Sequence, residues 1–138
     1  MWFRLLLSAL RVTCNNPYKH IKMTKEFLVV IHRDLTGKKP VPTPEQLKEA
    51  LQPYQEWITG IAKHGKLVGA PQRWDLDGRV ITHSGPVLHG AYTEKHNSVG
   101  GMFLIKAKDY DEAVEIAKGC PIIQYGAIVE VRMAIPAA

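Results

Sequence analysis

The sequence predicts an α+β domain in the order β-α-β-(hairpin)-β-α-β, an antiparallel sheet with two helices packed on one face. Three observations lead there. Residues 26–32, Glu-Phe-Leu-Val-Val-Ile-His, form a β-branched apolar run uninterrupted by turn residues, as a buried strand requires. Two later segments open on a capping residue and continue with apolar positions at helical spacing. The last regular segment, residues 127–133, places Ala127, Val129, Val131 and Met133 on alternate positions, the period of a strand with one inward face.

The elements follow in order. After the first strand, residues 34–42 read as a loop with Gly37, two lysines and two prolines. Thr43-Pro44-Glu45-Gln46 starts a helix: threonine caps, proline suits the first helical position, and Gln46 completes a capping box. Leu47, Leu51, Tyr54, Ile58 and Ile61 form its apolar stripe, which ends near His64-Gly65, and Pro53 should bend the rod. Residues 66–70 read as a short strand, Asp75-Leu76-Asp77-Gly78 as a turn, and residues 79–83 as a strand of the hairpin it starts. Residues 101–107 form a central strand. Asp109 caps a second helix, with Glu112 as its box partner, which buries Tyr110, Ala113, Val114 and Ala117 and stops at Gly119.

A length of 138 residues suits one domain at residues 23–138, preceded by a separate extension at residues 1–22. Arg4 and Arg11 bracket an uncharged run far shorter than the ~20 apolar residues of a membrane span. The extension reads as an upstream-start segment, or as a targeting segment. It also carries four basic residues and no acid, whereas the whole chain has 18 basic and 13 acidic residues. The domain is therefore close to neutral, with only Lys38-Lys39 as a basic pair, and lacks the basic stripe that nucleic-acid binding needs. Cys14 and Cys120 form neither a metal spacing nor a disulfide framework, which points to the cytoplasm.

The apolar residues also imply a partner. Two helices cover one face of a four-stranded sheet. Phe27, Val29 and Ile31 oppose Leu28 and Val30, and Phe103 and Ile105 oppose Met102 and Leu104, so both faces are apolar. A monomer would leave one of them in water. A homodimer with sheets packed face to face removes the conflict.

From about Lys25 to Pro136 the chain resembles the YCII-related (YciI-like) proteins, in their DGPF branch. The carriers are residues 26–31, Pro44-Glu45-Gln46-Leu47, Gly65-Lys66-Leu67, His89-Gly90-Ala91-Tyr92, Glu94-Lys95, Gly100-Gly101 and Gly119-Cys120-Pro121. The resemblance implies a ferredoxin-like fold that pairs into a dimeric α+β barrel. The name motif Asp-Gly-Pro-Phe stands here as His-Gly-Ala-Tyr, identical only at the glycine. The family's proposed active-site histidine and aspartate fall on Gln46 and Cys120, so the resemblance implies a member without that pair. Proteins of this branch are often associated with alternative sigma factors, which implies a transcription-associated partner as a further reading.

Five histidines lie in the domain, and histidine titrates near neutral pH. His64 beside a glycine suits a helix end, and His83 a solvent-facing hairpin. His32, His89, Tyr92 and Glu94 would together combine a base, a phenol and a carboxylate, the candidate catalytic group. Arg73, Trp74, His89, Tyr92 and His96 are the candidate ligand-binding residues, an indole wall and a guanidinium beside a polar loop. His89 and His96 lack a metal-ligand spacing, and the second helix offers no axial histidine for haem, so neither metal nor cofactor is expected. Gly100-Gly101 reads as a bulge or a close strand approach, and Cys120 as a small buried hydrophobe. Two functions remain open: a homodimeric module binding a small polar ligand without turnover, or a lyase-, isomerase- or dehalogenase-like enzyme using the histidines.

Overall fold

In the computed structural model, which describes residues 23–35 and 43–137, the apolar run at the start of the domain is the inner strand β1 (Lys25–Asp34). The expectations for residues 1–22, Cys14 and Lys38-Lys39 lie outside the described residues. β1 pairs antiparallel with β5 (Asn97–Ala107) on one side and with β6 (Ile128–Met133) on the other. The short β2 (Gln72–Arg73) adds to the far edge of β5, giving the order β2-β5-β1-β6. With α1 (Pro44–Lys63) and α2 (Tyr110–Lys118), this is an open ferredoxin-like α+β sheet.

Side-chain alternation decides the core. Phe27 and Val29 on β1, and Phe103, Ile105 and Ala107 on β5, point toward the helices and meet Ile61 and Ala113 there. Val129 and Val131 of β6 join the same face, with Trp57, Ile58, Leu67 and Ile116 closing around it. Phe27, Val29 and Ile105 are fully buried. Each contributes roughly 1.5–3 kcal/mol of apolar transfer energy, enough to fix the sheet's register.

The first helix starts as its sequence demands, and the second does so in part. The Thr43 hydroxyl accepts the Gln46 N–H at 3.2 Å and the Gln46 side chain accepts the Thr43 N–H at 2.9 Å, a complete capping box. The helix runs through Pro53 and ends at His64, whose ring nitrogen lies 2.7 Å from the Gly60 carbonyl, with Gly65 left-handed behind it. Asp109 caps α2 through the Glu112 N–H at 2.9 Å, but the expected box is not closed, because the Glu112 carboxylate pairs with Lys66 instead of the Asp109 N–H.

Four details depart from expectation. The edge strand is broken: residues 66–68 bond to β5 through Lys66 and Val68, and pairing resumes at β2. Gly69, Ala70 and Pro71 intervene, and a proline has no N–H to continue a ladder. The expected strand over 79–83 shrinks to β3 (Arg79–Val80), which pairs with β4 (Leu88–His89) in a separate two-stranded ribbon. On α2, Tyr110 and Val114 are exposed and Ile116 packs inward instead, because Ala113 and Ala117 set the buried row. Finally, β5 begins four residues earlier than Gly101. Its start is set by a tight turn in which Glu94 and Asn97 exchange backbone hydrogen bonds at 2.9 Å and Lys95 and His96 take positive φ. Two consecutive left-handed residues match strand twist, as in a type I′ hairpin.

Candidate functional site

The sheet's alternation sorts the polar residues at its end into two groups. Ile31 faces Gly101 on β5, yet His32 faces Val99, so Gly100 is an extra residue that bulges the ladder. Arg33 continues the row of Phe27, Val29 and Ile31 on the helix-covered face. Arg73 pairs with Gly101, and so falls on that face too. His32 points the other way.

Arg33 and Arg73 thus flank the Gly100-Gly101 pair from the two strands on either side of β5. Glycine is needed there for space. A Cβ on Gly100 would stand 3.0 Å from Arg33 Cδ and 3.2 Å from its Cγ, so the arginine stem lies across the bare backbone. A Cβ on Gly101 would meet the Gln72 carbonyl at 3.3 Å, and the Trp74 N–H donates to the Gly100 carbonyl at 3.1 Å. The bulge expected at Gly100-Gly101 is present, and the arginine lying over it gives it a use.

Two further elements reach the same place. Tyr54 projects from α1, half-buried, with its ring 5.6 Å from that of Trp57. Trp57 is itself fixed by Phe103 at 5.5 Å and by a 2.9 Å hydrogen bond from its indole N–H to the Ile116 carbonyl. Cys120 is buried at the head of a 3₁₀ turn (Pro121–Tyr125) directly after α2. Burial pushes the Tyr54 phenol above its ordinary range, Cys120 adds to that, and Arg33 and Arg73 pull in the opposite direction. Burial likewise pushes the Cys120 thiol up, against the Ile122 and Ile123 N–H groups and the Arg33 charge. Near neutral pH the site therefore offers two cations and two neutral hydrogen-bond donors. Among the described residues, neither arginine has an ion-pair partner.

The sequence-predicted residues are placed as follows. Arg73 lies in this site, and Trp74 follows it, half-exposed. His32 Nε2 lies 3.0 Å from Glu130 Oε1, which accepts the hydrogen bond, on the sheet face opposite the helices. No described hydrogen bond or ion pair joins it to His89, Tyr92 or Glu94. His89 is exposed on β4 opposite Arg79. Tyr92 is 72% exposed, and its carbonyl accepts from the buried Ser98 hydroxyl at 2.7 Å. Glu94 and His96 belong to the type I′ turn, where their backbones carry the structural role. Among the described residues, no three His, Cys, Asp or Glu side chains gather closely enough to hold a metal ion. Arg33 and Tyr54 escaped the sequence reading as site residues. Their signals were the odd-numbered row of β1 and the apolar stripe of α1.

The YCII-related domain matches residues 26–134. The chain belongs to this family. The match covers every element of the sheet and both helices, so the ferredoxin-like fold and the family agree over the same residues. No curated protein matches the chain. No helix among the described residues is long and apolar enough to cross a membrane. Within this YCII-related domain, Gln46 serves the capping box of α1 and Cys120 sits beside Tyr54 and Arg33.

Proposed function

We propose that this YCII-related protein is a cytoplasmic homodimer that binds a small polar ligand at the helix-covered end of the sheet, without catalysing its turnover. One observation carries the binding reading: Arg33, Arg73, Tyr54 and Cys120 arrive from four separate elements at one place beside a side-chain-free stretch of backbone. A few convergent polar groups against an apolar wall are what a small-molecule site requires. The DGPF branch fits the neighbouring ribbon, because the one glycine shared with the name motif, Gly90, has φ +109°, a conformation that side chains resist.

The homodimer rests on the sheet face opposite the helices, where Leu104 is exposed, Leu28 and Met102 are partly exposed and Val30 is buried. Leu28, Val30, Met102 and Leu104 occupy its centre by the strand register, with His32, Lys106, Glu130 and Arg132 around them. An apolar centre with a charged rim is the pattern of a protein interface. Light scattering at micromolar concentration should give twice the chain mass, and Met102→Glu should give one chain mass; a monodisperse wild-type monomer refutes the dimer. A thermal-shift screen of polar metabolites should find compounds that stabilise the wild type and not Arg73→Gln. Their complete absence refutes the binding reading.

An enzymatic reading has one observation in its favour, the His32–Glu130 pair. A carboxylate bonded to an imidazole orients it as a general base. Activity abolished by both His32→Ala and Glu130→Gln, with the dimer intact, would select it.

A further inference from the structure

We infer that the ligand of this site is anionic, and that its carboxylate or phosphate head group sits over Gly100-Gly101 between Arg33 and Arg73. This deepens the reading proposed above and depends on it. The charges acting on Tyr54 and Cys120 come from the two arginines and from each other, and from no carboxylate among the described residues. Two guanidinium groups held toward one place without a counter-charge repel each other. A fold gains nothing from that arrangement unless an anion completes it.

Other features select an oxyanion specifically. A guanidinium presents paired N–H donors that match two oxygens of a carboxylate or phosphate, and two such forks can hold it from opposite sides. The absent side chains at Gly100 and Gly101 leave backbone as the floor, over which Arg33 already lies. The Tyr54 hydroxyl and Cys120 thiol stay protonated, so they donate and do not repel a negative guest. A cation or an uncharged polar compound would leave both arginines unneutralised.

The test is an NMR titration of the Gly100 and Gly101 amides and of the arginine Nε–H groups at fixed ionic strength. The probes are sodium benzoate, inorganic phosphate and uncharged benzamide, which resembles benzoate in shape. Saturable shifts confined to these signals, with benzoate, phosphate or both, support the inference, and the stronger of the two identifies the head group. Arg33→Gln and Arg73→Gln should each weaken binding about tenfold or more, while Lys25→Gln at the opposite end of β1 should not. Without ligand, either arginine variant should melt no lower than the wild type, since repulsion is relieved. Benzamide binding as tightly as benzoate overturns the anion and leaves the polar-ligand reading standing. Shifts that scatter over surface lysines without saturating, an adventitious ion only, overturn the inference. So does the loss of neither affinity nor selectivity in both arginine variants.

Discussion

Gly119→Ala puts the packing behind the site to a quantitative test. Gly119 ends α2 with φ −71° and ψ −6°, a right-handed conformation that alanine adopts freely. Backbone strain therefore contributes nothing, and the smaller entropy of the unfolded alanine chain would favour the variant by about 0.4–1 kcal/mol. Space decides against it. The new Cβ would stand 2.7 Å from both Cδ1 and Nε1 of Trp57, and 3.3 Å from the Ile116 carbonyl. Trp57 cannot retreat easily, being packed against Phe103 and the core. Forcing it aside costs about 1–3 kcal/mol in overpacking. Breaking its bond to Ile116 costs about 1 kcal/mol more. The net is a loss of about 2 kcal/mol, which lowers the melting temperature by about 8 °C or more. Urea denaturation followed by far-UV circular dichroism gives the number. In a Trp57→Leu background the obstructing indole is gone, so the cost of Gly119→Ala should fall below about 0.5 kcal/mol. An equal cost in both backgrounds, or a neutral Gly119→Ala in the wild type, refutes this account of why glycine stands there.

Gly100→Ala should behave oppositely: its Cβ meets only the flexible Arg33 stem, at 3.0 Å and beyond. Stability should change by less than about 1 kcal/mol while anion affinity falls, and a large drop in melting temperature would contradict the placement of Arg33. Lys66 holds the Glu112 carboxyl below its ordinary range, so the folded chain binds that proton less readily than the unfolded one. The stability difference between wild type and Glu112→Gln should be small, steady above about pH 5, and lost as pH falls through the lowered folded value. A difference that grows on acidification has the wrong sign. Because burial raises the Cys120 thiol, its thiolate is scarce at pH 8. In a Cys14→Ser background, Ellman's reagent should label it at least about tenfold more slowly than free cysteine, with the rate climbing toward pH 10. Labelling as fast as the free thiol contradicts its burial.

The fold was legible wherever a signal was local and repeated. The β1 run, the Thr43–Gln46 box, the Asp109 cap and the alternation of β6 each state their geometry within a few residues. The residues around the hairpin were less legible, because pairing there depends on distant partners. Nothing in residues 79–83 says that only Arg79 and Val80 would find a strand, or that they would leave the main sheet. The Lys95-His96 turn was hidden for a different reason. Type I′ geometry ordinarily advertises itself with Asn-Gly or Asp-Gly, and here two large side chains adopt it, held by the Glu94–Asn97 exchange.

The candidate site was half legible, and the asymmetry follows from which residues attract attention in a sequence. Histidines gather in the loop after Pro86 and suggest chemistry, yet the sheet sends His32 to the opposite face and the turn fixes His96 by its backbone. The arginines look unremarkable, because Arg33 follows a core strand and Arg73 precedes a turn. What joins them is β5, which lies between their strands and carries no side chain at either central position. A glycine pair inside a strand weakens pairing and forfeits packing, a cost without local return. The return becomes visible only when the neighbouring strands are in register and Arg33 is seen lying where a Cβ would be. Small residues in an inner strand thus mark the site better than titratable ones in its loops, because vacated space is what lets two long cations from flanking strands approach one point.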